Sequence, residues 1–266
     1  MLNRFLKSRG FLNIKKFLNA KRFLNVCVLL LACLLPGCKD DEKRDANVLM
    51  FGTCADYPPF EFIQDGKMIG FDIDLAKLIA EKLGKRAEFK DIALSSILVS
   101  VQNGLIEAAI SALGATAERK KNYDFSSPYY KESLALLHRK DSPIQTAEQI
   151  GTKKIASQLG SIPEKWLKDN AKAQVVSMDS MNQTAEAVKA GHAAGALMDS
   201  VSAREFANKN KELAHSIIVD DLEGSDGFSI AFAKGSPLVK EVNKVLAQLV
   251  ESGELEKLEK KWKLND

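Results

Sequence analysis

A few side chains in this sequence could hold a small charged molecule. Arg119 follows a glutamate in LGATAERKKNYDFSSPYY, residues 113–130, with small residues just upstream and aromatics and a proline downstream. A charge in such a loop is either solvated, as most are, or the holder of an anionic partner. Asp199 follows GALM and precedes a helical pattern, the ordinary place of an N-cap. Gly160 and Ser161 open another helix, whose free N–H groups and positive dipole end suit a carboxylate, unless Ser161 is the N-cap alone. Tyr57, in GTCADYPPFEF, sits in a turn stiffened by Pro58 and Pro59, as a rigid aromatic plate or a ring packed beneath the turn. Catalytic signatures are absent: there is no G-x-S-x-G elbow, P-loop, H-E-x-x-H or G-x-G-x-x-G. The histidines His138, His192 and His215 lie far apart and no zinc spacing exists, so neither metal nor cofactor is expected.

Positioning these residues requires alternating elements. VLMFG reads as a strand, and FDIDLAKLIAEKLG as a helix with Phe71, Leu75, Leu78 and Ile79 on one face and Gly84 at its stop. RAEFK, a helix near Ile97 to Gln102, the run EAAISAL and a turn capped by Thr116 follow. A second series begins after Pro128, with SLALLHR, TAEQI, KKIASQ, a helix from Ser161, AQVVSM, SMNQTAEAVKAG, GALM, SVSAREFANK and SIIV. The tail holds GFSIAFA and two helical stretches, PLVKEVNKVLAQLVESG and ELEKLEKKW. Such alternation implies α/β layers with mostly parallel sheets, and ligands on such sheets lie beyond the carboxyl ends of the strands. With 266 residues, 45% hydrophobic, the chain can form one large domain or two lobes of roughly 100 residues each.

The first 37 residues carry seven Lys/Arg and no acid, so losing them turns the formal charge of +3 into −4. A mildly acidic mature chain gives little support to nucleic-acid binding. The apolar run Val26 to Leu35 is too short to span a bilayer and suits an export signal. It ends Leu35, Pro36, Gly37, Cys38, which resembles the lipobox of bacterial lipoproteins; the alternatives are an ordinary signal peptide or an uncleaved anchor. Acylation at Cys38, palmitate included, would tether the chain, because each buried methylene contributes about 0.8 kcal/mol. Cys27 and Cys33 would leave with the leader, so Cys54 is the one cysteine left and no intramolecular disulfide is expected. The charged run KDDEKRDAN after Cys38 reads as a solvated spacer. Export without catalytic signatures points to binding.

Taken in order, GTCADYPPFEF, GxxIGFDIDLAKLIAEKLG, TAERKKNYDFSSPYY, SQLGS and GALMDS resemble the solute-binding family that delivers polar amino acids to ABC importers. The resemblance covers Val48 to Trp262. It implies a two-lobed periplasmic-binding-protein fold of type II, with flanking helices and two crossing hinge strands. The segments expected are 1–37 as lipoprotein signal, 38–47 as linker, 48–132 plus 226–266 as lobe one and 133–225 as lobe two. It further implies that Arg119 clamps the ligand's α-carboxylate, for which a planar five-donor fork is suited. By the same resemblance Asp199 accepts the α-ammonium, while Ala112, Leu113 and Gly114 approach the ligand through their backbone. Ser161 and Gln158 complete the binding set. The ligand's side chain would lie between Tyr57 and Leu94. Cys54 stands where members with cationic ligands commonly carry an acid or amide, and Met198 adds no charge, so the side-chain end looks poor in charge and speaks against arginine or lysine.

The resulting expectation is a monomeric, lipid-anchored binding protein at the periplasmic face of a bacterial membrane. Its partners would be a free amino acid and an ABC permease in the inner membrane. The competing expectation is an enzyme on the same scaffold, similar to cyclohexadienyl or arogenate dehydratases, with Glu61 or Cys54 as the nearest candidate for its acid.

Overall fold

The expected leader and Cys38 lie outside the described residues, since the computed structural model describes residues 45–131 and 133–265. The first apolar run forms β1 (Val48–Thr53), and three short strands follow it, β2 (Asp56–Tyr57), β3 (Glu61–Gln64) and β4 (Lys67–Ile69). These three make a small antiparallel sheet of their own. The amphipathic stretch becomes α1 (Phe71–Lys82), which buries Phe71, Ile73, Leu75 and Ile79. Next come β5 (Arg86–Asp91), α2 (Leu94–Gln102), β6 (Ala108–Ala109), β7 (Gly114–Thr116), α3 (Ala117–Lys120) and β8 (Tyr123–Phe125). The second series is β9 (Leu134–Arg139), α4 (Ala147–Ile150), β10 (Lys154–Gln158), α5 (Ile162–Asn170), β11 (Gln174–Met178), α6 (Met181–Lys189), β12 (Gly195–Asp199), α7 (Ser200–Lys209) and β13 (Leu213–Val219). The chain then returns through β14 (Ser225–Phe228), β15 (Ala231–Ala233), α8 (Leu238–Glu251) and α9 (Glu254–Lys261).

Two five-stranded sheets result, ordered β5-β1-β6-β15-β8 and β11-β10-β12-β9-β13. Four strands of the first run one way against β15, and four of the second against β9. The sheets are therefore mostly parallel, each with one reversed strand beside the place where the chain crosses between them. The crossing stretches, residues 126–131 and 220–230, bind each other: the Tyr129 amide donates to Phe228 O, and the Phe228 amide to Tyr130 O, each at 2.8 Å. Phe60 packs at this crossing, edge-on to Phe71, Tyr130 and Phe228 with ring centroids 6.1, 5.5 and 5.2 Å apart. A fully buried phenylalanine of this kind contributes on the order of 2–3 kcal/mol, and here it ties the Tyr57 turn to both crossing stretches. The fold is thus a two-lobed α/β structure of two mostly parallel sheets with flanking helices.

Two local expectations shift. Tyr57 lies in β2 rather than in a turn, and α2 begins at Leu94 rather than near Ile97. Among the described residues no helix is long and apolar enough to cross a membrane.

Candidate functional site

Between the two lobes lies a narrow cavity of about 20 Å³. From the first lobe's side Cys54, Tyr57, Leu94, Ala112, Leu113, Gly114 and Arg119 line it, and from the second Gln158 and Ser161. Asp199 alone of the expected set is not in its lining. It sits directly behind the wall, where its amide donates to the Tyr57 hydroxyl at 3.2 Å.

Arg119 is placed by α3, whose start Thr116 caps by accepting from the Arg119 amide at 3.2 Å. Its guanidinium reaches two carbonyls, Gly114 O through Nη1 at 2.9 Å and, across the seam, Gly160 O through Nη2 at 3.0 Å. The small stretch before it is held from three directions. The Ala112 amide donates to Asp72 Oδ2 at 2.8 Å, the Ser229 amide to Leu113 O at 2.8 Å, and Gly114 pairs with Phe228 in the β14–β7 ladder. Ala112 has a φ of 43°, a left-handed conformation that costs a residue with a Cβ of order 1 kcal/mol, so the Asp72 bond fixes a strained turn. That bond also commits the Ala112 amide, and the expected backbone contact at this position falls to its neighbours.

The second lobe offers the starts of two helices. Ser161 caps α5 by accepting from the Glu164 amide at 3.1 Å, and Pro163 stands in the first turn. Asp199 caps α7, its Oδ1 accepting from the Val201 and Ser202 amides at 3.0 Å each. Its Oδ2 is buried without a hydrogen-bond partner. Burial pushes this carboxyl up, while the nearby Tyr57 hydroxyl and the helix amides draw it down.

Gln158 closes the far end. Its Nε2 donates to Asp56 Oδ1 at 3.2 Å, and the Met181 amide at the start of α6 donates to Asp56 Oδ2 at 2.9 Å. Asp56 stands on β2 while Gln158 and Met181 reach it from the second lobe, so bonds through Asp56, Tyr57 and Arg119 are among those that span the seam. Burial pushes the Asp56 carboxyl up, against the pull of its hydrogen bonds. The Cys54 thiol is pushed well up by burial and by the charges of Asp56 and Glu61. It stays protonated and is no nucleophile.

Five lining residues escaped the expected set: Glu61, Ser111, Ile162, Pro163 and Phe228. Glu61, weighed only as an enzyme's acid, accepts from the Ser111 hydroxyl at 2.7 Å, and Ser111 accepts from the Cys54 amide at 3.0 Å. The reading drawn from Cys54 and Met198 left out two ionisable groups: Glu61 lines the cavity, and Asp56 stands beside Cys54. Phe228 gave no sequence signal, because it arrives on the returning chain. Among the described residues no cluster of His, Cys, Asp and Glu could hold a metal ion.

The profile of the bacterial extracellular solute-binding proteins, family 3, matches residues 49–265. The chain is 34% identical over 217 residues to the arginine-binding extracellular protein ArtP of Bacillus subtilis, covering 80% of this chain and 85% of that protein. It is 32% identical over 241 residues to a probable histidine-binding protein of Campylobacter jejuni, covering 88% and 93%. Its structure superposes with a TM-score of 0.75 and 33% identity on the amino acid ABC transporter substrate-binding protein AbpA of Streptococcus pneumoniae bound to L-arginine, covering 80% and 92%.

Proposed function

We propose a function from one premise: the chain belongs to the bacterial extracellular solute-binding proteins, family 3. The protein binds a free polar amino acid in the interlobe cavity and delivers it to an ABC permease. With lobe one as 48–132 plus 226–266 and lobe two as 133–225, Arg119 comes from the first and Asp199 from the second. The observation that carries the reading is that Arg119 lines the cavity from one lobe while Asp199, with Oδ2 unpartnered, lies behind its wall on the other, against Tyr57. Arg119 exchanges its carbonyl partners for the α-carboxylate, a charge-assisted pair about twice as strong as a neutral hydrogen bond. Asp199 Oδ2, unpartnered and buried, takes the α-ammonium. The first turn of α5 adds the Ile162 amide, since Glu164 is capped by Ser161 and Pro163 has no N–H.

Closure belongs to the same reading. Micromolar affinity requires about −8 kcal/mol, which for a ligand of roughly ten heavy atoms is about 0.8 kcal/mol per atom, high enough to need contact on all sides. The cross-seam bonds of Asp56, Tyr57 and Arg119 are those of the closed state, and ligand contacts on both lobes shift the hinge toward it. Relatives named for arginine and for histidine favour a basic amino acid as the ligand, with cystine and glutamine, for which other relatives are named, as the alternatives.

Thermal melting against each common amino acid tests this function. A ligand at 100 times its Kd should add about 2.7 kcal/mol to stability, and a panel in which no amino acid moves the transition would refute it. Anchorage is the second part: the chain is exported and acylated at Cys38, which tethers it beside the permease. Cys38→Ser should move the protein from the membrane to the soluble fraction of cells, and unchanged fractionation would refute the anchor.

A further inference from the structure

Asp56 is absent from the cavity lining, yet three hydrogen bonds reach it across the seam. Gln158 Nε2 donates to Oδ1 at 3.2 Å and to Oδ2 at 3.3 Å, and the Met181 amide donates to Oδ2 at 2.9 Å. Within its own lobe the carboxylate accepts, among the described residues, only from the Cys54 thiol, a weak donor 3.4 Å away. The strong partners of this side chain therefore all belong to the other lobe. A carboxylate only accepts, so Gln158 must turn the amino end of its amide toward Asp56.

Met181 opens α6, and its amide is one of the four that a helix leaves without an internal partner. Ser180 takes another of them, accepting from the Gln183 amide at 3.2 Å. The first turn of α6 holds no acid of its own, so the negative charge that suits the positive end of a helix comes from β2, on the opposite lobe. Such a bond is charge-assisted and roughly twice as strong as one between neutral groups. Because α6 packs against β9 and β10 of the second sheet, a pull on its first turn is a pull on the lobe. Gln158 ends β10 and lines the cavity. Asp56 thus holds one residue that faces the ligand and one helix start that does not.

Building on the amino-acid reading above, we propose that Asp56 is a clasp: a positioning residue that holds the lobes shut from outside the cavity and sets how long a captured amino acid stays. The ligand meets the open cleft first, with Asp56 disengaged, so the clasp has little influence on capture. Release requires the lobes to part, which breaks the Asp56 bonds together with the ligand's own. The residue therefore acts on dissociation, the step through which most affinity differences between related complexes arise. It slows the release of different amino acids by a similar factor, because its own partners are protein groups.

The probes are radiolabelled L-arginine, L-histidine and L-glutamine, with the amino acid that most raises the melting temperature beside them. Rapid filtration into an excess of the unlabelled amino acid gives koff, and equilibrium dialysis gives Kd, from which kon follows. In Asp56→Ala, koff should rise at least about tenfold for each probe that the wild type binds, while kon stays within about threefold. Asp56→Asn keeps an acceptor and loses the charge, so its koff should lie between the two, and it carries the test where Asp56→Ala fails to fold. Release at the wild-type rate by the variants overturns the clasp and leaves the amino-acid reading standing, as does a loss that appears in kon. A loss confined to basic probes overturns it too, since Asp56 would then touch the ligand itself. A wild type that binds none of the probes overturns the amino-acid reading and the proposal with it.

Discussion

Arg119 and Asp199 show how far single residues speak for themselves. Charge and element boundaries alone left each with two readings, a solvated arginine and an N-cap, and the structure gives Asp199 both an N-cap role and an unpartnered buried oxygen. The expected binding set was legible because most of it follows strand ends, where chain order alone brings it to the carboxyl edge of a sheet. Glu61 was harder to place. The alternation in PPFEF does not say that its carboxylate turns inward against Asp72, because that depends on α1 crossing behind β3. Cys54 misled for the same reason: a thiol at that position says little about charge when Asp56, two residues on, and Glu61 both stand near it.

Among the elements, the long amphipathic helices and hydrophobic strands could be read from periodicity, and their order fixed the α/β class. The small sheet of β2, β3 and β4 was missed, although Asp65 and Gly66, with φ of 51° and 70°, form the turn that an Asp-Gly pair between two apolar runs announces. The crossing stretches are the element on which lobe geometry depends, and Gly227 is their tightest point. Its φ is +105°, and a Cβ there would meet Tyr130 O at 2.4 Å. Gly227→Ala should therefore destabilise the protein by about 2–4 kcal/mol, read as a lower urea midpoint. An unchanged midpoint would show that the crossing backbone tolerates what this geometry forbids.

At the scale of the whole molecule, buried acid sets a pH dependence. Asp72, raised to about 7 by burial, and Glu61, pushed well up by burial and by the charge of Asp72, bind protons in the folded state that the unfolded chain releases near pH 4. Folded carboxyls that bind protons more tightly stabilise below the unfolded value, and that contribution is lost as pH rises through the folded one. The ligand-free protein should thus melt roughly 5 °C lower at pH 8 than at pH 5. A melting temperature that is level or rises over that interval would contradict buried carboxyls raised in the folded state. No periodicity announces these buried acids, since Glu61 lies on β3 and Asp72 in the first turn of the helix that follows the small sheet. The same is true of the cavity as a whole, whose walls come from both ends of the described chain.

The central claim is that one guanidinium, offered by one lobe to the gap between two, holds the carboxylate of an amino acid. Arg119 is half-buried and outside the hydrophobic core, so Arg119→Ala should fold and melt much as the wild type does. Calorimetric titration of both proteins with the amino acid that most raises the melting temperature tests the claim most directly. Loss of at least about 100-fold in affinity is the predicted result, and affinity equal to the wild type's would contradict it.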